Sequence, residues 1–93
     1  MTDPSTDDAR GDVAAFLRER LARGDACLRA GNARGAIVWY ESALAAQRRG
    51  DDAGDLRELL HALWHNKAIA HQQLRELVPA QEAALYAERL SRR

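Results

Sequence analysis

The sequence is short of several residue types, and each shortage closes off a reading. Its 93 residues include one cysteine, Cys27, so no disulfide can form within the chain. The β-branched residues are few: Val13, Val38, Val78, Ile37, Ile69, Thr2 and Thr6. So small a share disfavours sheet. No apolar run approaches the ~20 residues that cross a bilayer. The N-terminus is acidic and carries no apolar stretch of the kind that marks a secretory leader, so the cytoplasm is the expected location. A Gly-rich phosphate loop and a nucleophile elbow are both missing. No paired carboxylates lie in an apolar setting. These gaps lead us to expect a protein that is not an enzyme and holds no cofactor.

What is present favours helix. Ala, Leu, Arg and Glu dominate, and all are good helix formers. The length allows one domain with a modest core. The 14 basic and 14 acidic residues balance to a net charge of zero. Their spread is uneven: residues 1–12 carry −3, residues 13–50 carry +4 and residues 51–93 carry −1. The positive middle segment suits an acidic partner. It falls short of the basic stripe of a dedicated nucleic-acid binder.

Residues 1–11 show no apolar periodicity and read as a disordered acidic tail, leaving 12–93 as a single helical domain. Asp12 is the expected cap of a first helix running to about Ala30, with Val13, Phe16, Leu17, Leu21, Ala26, Cys27 and Leu28 recurring at mostly helical spacing. Cys27 falls on this stripe and reads as packing. Gly31-Asn32 ends the helix. A second helix follows from about Ala33 to Arg48, with Ala36, Ile37, Tyr40, Ala43 and Leu44 on one side. The stretch 49–54 reads as a linker. A third helix is expected from Leu56 to Leu74 or Leu77, capped by Asp55. A fourth runs from Pro79, well placed in a first turn, to about Ser91, with Ala83, Leu85, Tyr86 and Leu90 as its apolar positions.

The segment from Leu17 to Gly50 resembles a tetratricopeptide repeat. Gly24 stands at the family's small position, Gly31-Asn32 at its turn, and Ala36, Tyr40 and Ala43 at its small, aromatic, small spacing. Arg20 and Arg23 occupy places where large apolar residues are usual. A second, divergent repeat begins in ALWHNKAIAHQQL, with Ala68 at the small position and Ala80, Ala84 and Ala87 along the returning helix. The resemblance implies an all-α fold of two helical hairpins, four antiparallel helices in a short α-solenoid.

By position, the family's concave face implies partner contacts at Arg18, Leu21, Asp25 and Arg29, then at His65, Asn66, Ile69, Gln72 and Gln73. Trp39, one residue round the helix from Tyr40, is a further interface candidate. Asn66 matches one Asn of the two-carboxylate clamp that some members use, whereas Leu21 and Asp25 replace that clamp's Lys and Asn. The expected function is that of a small adaptor or assembly subunit. Its partner would be another protein or peptide, with a homodimer or a heteromeric complex as the expected state, and no role at a membrane or on nucleic acid. Two other readings stand beside it. In one, a helical bundle binds a metal or small ligand, with Glu58, His61 and His65 on one helical face as the weak metal set. In the other, a regulator uses the Arg-rich first hairpin, Arg18, Arg20, Arg23, Arg29 and Arg34, on nucleic acid.

Overall fold

A computed structural model of the chain describes residues 5–46 and 55–91, with side chains described from 13 to 46 and from 56 to 91. It is all-α: α1 spans Ser5–Arg29, α2 Ala33–Ala46, α3 Asp55–Gln73 and α4 Leu77–Ser91, with no strand among the described residues. The helix expected from Asp12 starts at Ser5, so the tail expected over 1–11 is helical from that point. Residues 1–4 and the expected linker lie outside the described residues, as does the close of the second helix beyond Ala46. The fourth helix starts at Leu77, ahead of Pro79. Pro79 is then the third residue of α4, where no intrahelical bond needs its missing N–H.

Both hairpins turn in the same way. After α1, Asn32 N–H reaches the Cys27 carbonyl at 2.7 Å and Gly31 N–H the Leu28 carbonyl at 3.0 Å. After α3, Glu76 N–H reaches the His71 carbonyl and Arg75 N–H the Gln72 carbonyl, each at 2.9 Å. These paired bonds are the Schellman ending, which requires a left-handed residue after the helix. Gly31, at φ 83°, and Arg75, at φ 60°, supply it. Asn32 also starts α2, taking the Gly35 N–H on its side chain at 2.9 Å and the Ala36 N–H on its carbonyl at 3.0 Å. The Glu76 carbonyl takes the Ala80 N–H in the same way at 3.1 Å. The two turns are 44 residues apart, as are Gly24 and Ala68, so the second hairpin repeats the first in register.

α1 packs with α2, and α3 with α4. α3 also lies against both helices of the first hairpin, whereas the backbone of α4 approaches α3 alone among the described helices. The hairpins are therefore stacked side by side rather than closed into a ring of four. Leu17, Ile37, Tyr40, Leu60 and Leu63, with Ala33, Ala36, Ala43 and Ala70, form the core. α4 adds Ala80, Ala83 and Ala87. Alanine there lets α3 and α4 approach closely.

Leu85 is 59% and Tyr86 49% exposed, so α4 keeps an uncovered apolar edge. One expectation for α4 is corrected. Ala84 is exposed, while its neighbour Ala83 is buried. The physical reason is position. Ala84 lies 44 residues after Tyr40, on the side that α2 turns to α3, and no described element covers that side of α4.

Candidate partner-binding face

Asp25 is the joint between the hairpins. Tyr40, on α2, donates its hydroxyl to Asp25 Oδ1 at 2.5 Å, and Asn66, on α3, donates Nδ2 to the same oxygen at 2.9 Å. One carboxylate on α1 thus ties three helices. Burial pushes the Tyr40 hydroxyl well above its ordinary value, and its bond to the Asp25 carboxylate raises it further. Tyr40 accordingly remains a neutral donor across the physiological range. Asp25 and Asn66, both expected on the partner face, are engaged in this internal network.

Exposed stripes flank the joint on either side. Along α1, Arg18 lies seven residues before Asp25 and Arg29 four after, and both are exposed. At helical spacing this puts them on the Asp25 side of the helix. Leu21 is half-buried and packs against the core. Along α3, His65, Gln72 and Gln73 are exposed and Ile69 is half-buried, all at positions flanking Asn66. The face is mainly polar, with two guanidinium groups on its α1 side.

Trp39 belongs elsewhere. The guanidinium carbons of Arg20 and Arg23 each stand 5.2 Å from its ring centroid, and Arg20 also covers the Phe16 ring at 4.4 Å. Glu41, on the other flank of α2, reaches Lys67 of α3 at 3.4 Å. Trp39 therefore faces away from α3 and is half-buried under two arginines. The stems and charged planes of Arg20 and Arg23 thus cover aromatic surface. Arg20 Nε is buried and makes no hydrogen bond.

The three residues of the metal set do not converge. His61 donates Nδ1–H to the Ala87 carbonyl at 2.9 Å, which fixes its ring on α4. The His61 and His65 rings stack at 5.9 Å, and Glu58 is exposed. Among the described residues no group of three or more His, Cys, Asp or Glu is gathered to hold a metal ion.

A second joint was not foreseen. His71, 7% exposed, donates Nδ1–H to Glu76 Oε1 at 2.7 Å, and Arg34 donates to Glu76 Oε2 at 2.9 Å. The turn of the second hairpin is thereby fastened to α2 of the first. The bond from His71, and then that from Arg34, holds the Glu76 carboxyl below the usual carboxylate value. Arg34, one of the arginines considered for phosphate contact, is occupied here. On the far side, Trp64 stacks on Tyr86 at 4.5 Å between centroids, with Lys67 Nζ 4.9 Å from the Trp64 ring.

No described helix is long and apolar enough to cross a membrane. In comparisons with known proteins, no family model, no curated protein and no solved structure matches the chain.

Proposed function

We propose that the chain is a small tetratricopeptide-like interaction module, without catalytic chemistry, that holds a segment of a partner protein across α1 and α3. The observation that carries this reading is the Asp25–Tyr40–Asn66 joint. It fixes the spacing of two exposed stripes, Arg18 and Arg29 on one side and His65, Gln72 and Gln73 on the other. A rigid polar face built on helices presents hydrogen-bonding groups without first paying to order them. The arginines favour an acidic segment, steered by charge and held by charge-assisted bonds. A cytoplasmic adaptor or assembly subunit fits this surface.

The test is affinity purification with the full chain, followed by titration of the captured partner's segment as a synthetic peptide. Arg18→Glu and Arg29→Glu are exposed changes and should leave the thermal melt in place. Each should weaken binding by about tenfold, a loss of about 1.4 kcal/mol. Binding unchanged in both variants would refute the reading.

A further inference from the structure

α4 has two unlike faces. Ala80, Ala83 and Ala87 are buried against α3. At about 100° per residue, the opposite face carries Val78, Glu82, Leu85 and Arg89, with Tyr86 at its edge beside α3. Val78 is 66% exposed, Leu85 59% and Tyr86 49%. Glu82, Leu85, Tyr86 and Arg89 line a shallow groove of about 340 Å³. Two large apolar side chains thus sit between an acid and a base on a single helix.

We propose that a second copy of this chain covers this face, with α4 packed antiparallel on its own counterpart about a two-fold axis between Leu85 and Tyr86. The order of the residues singles out this occupant. An antiparallel two-fold pairing centred there sets Glu82 opposite Arg89 of the second copy, and Arg89 opposite its Glu82. It also sets Leu85 opposite Tyr86 in both directions. Along one helix Glu82 and Arg89 are two turns apart, about 10.5 Å, beyond the i,i+4 spacing at which helical ion pairs form. Across the axis they come opposite each other, at a helix separation of about 8–10 Å. The patch is complementary to itself, as an isologous dimer contact requires. Tyr86 enters already fixed, stacked on Trp64 and approached by Arg89 at 5.8 Å. A contact made mainly by two helices is small beside the ~800 Å² per partner of a standard stable interface, which places it with weak, reversible associations.

The pairing is independent of what occupies the α1–α3 face. Sedimentation equilibrium of the full chain, over a micromolar concentration series, should show a reversible monomer–dimer equilibrium. Glu82→Arg and Arg89→Glu should each raise the dissociation constant by about tenfold, since each sets like charges opposite one another twice. The double exchange, E82R with R89E, should bring it back to within about threefold of the original. Leu85→Glu should leave monomer, with circular dichroism confirming the helical fold in every variant. A chain that stays monomeric throughout, association that continues past the dimer, or a double exchange that fails to restore pairing would overturn the proposal. Arg18→Glu should not alter self-association, so failure here and failure of the partner-binding reading are read separately.

Discussion

Gly24 and Tyr40 are matched: a Cβ added at Gly24 would stand 2.7 Å from Cδ1 and 2.8 Å from Cζ of the Tyr40 ring. These are distances that carbon atoms do not tolerate, and the ring occupies the space a side chain would need. Gly24→Ala gains about 1 kcal/mol of helix propensity. It should nonetheless destabilise by about 1–3 kcal/mol net, because a buried ring that bonds Asp25 cannot step aside. Urea unfolding measures this. Combined with Tyr40→Leu, which removes the clashing ring, the Gly24→Ala change should become neutral to stabilising, by up to about 1 kcal/mol.

The Asp25 joint is open to a double-mutant cycle. Tyr40→Phe removes one of its two donors and should lower stability by about 1–2 kcal/mol. Asn66→Ala removes the other. If Asp25 gathers both donors as the distances show, the two changes should not be additive, with a coupling of about 0.5 kcal/mol or more. Additive losses in thermal or urea melts would mean that the donors act separately.

Acid should loosen the second joint. The folded state depresses the Glu76 carboxyl from its ordinary 4.5, so its stabilising share is present above that pH and is lost as pH falls through the folded value. Melting temperature should fall on acidification below about pH 4.5, and Glu76→Gln should flatten this part of the profile. A profile the variant leaves unchanged would contradict the role of Glu76.

The two turns make opposite predictions. Arg75 sits at φ 60°, a region that disfavours residues with a Cβ, and Arg75→Gly should stabilise by about 1 kcal/mol. Gly31, at φ 83°, already has the suitable residue, and Gly31→Ala should destabilise by a similar amount. Chemical denaturation of both variants checks the pair.

Much of the fold could be read from particular residues. Gly31-Asn32 marked the first turn because only a few residue types tolerate a left-handed backbone, and Gly24, Ala36, Tyr40 and Ala43 marked the close approach of α1 and α2. The second turn was harder to read, since Arg75 carries no such mark. The start of α1 at Ser5 leaves no mark in the apolar spacing, which begins only at Val13. Leu85 and Tyr86 form the exposed apolar edge that a chain of only two hairpins leaves, whereas helical spacing does not reveal which of Ala83 and Ala84 the neighbouring helix will cover. At the candidate site, Arg18, Arg29, His65, Gln72 and Gln73 are exposed as their positions implied. The bonds that occupy Asp25, Asn66, His71 and Glu76 depend on helix–helix distances that sequence spacing does not carry. A carboxylate near a tyrosine and an amide on other helices leaves no local pattern.

The central claim is that α1 and α3, held by Asp25, present the partner-binding face. Amide and side-chain NMR shifts on adding the captured partner segment test it most directly. The largest changes should fall on Arg18, Arg29, His65, Gln72 and Gln73, with the Trp39 indole and Leu85 undisturbed. Shifts concentrated instead at Trp39, Arg20 and Arg23, or along α4, would contradict it.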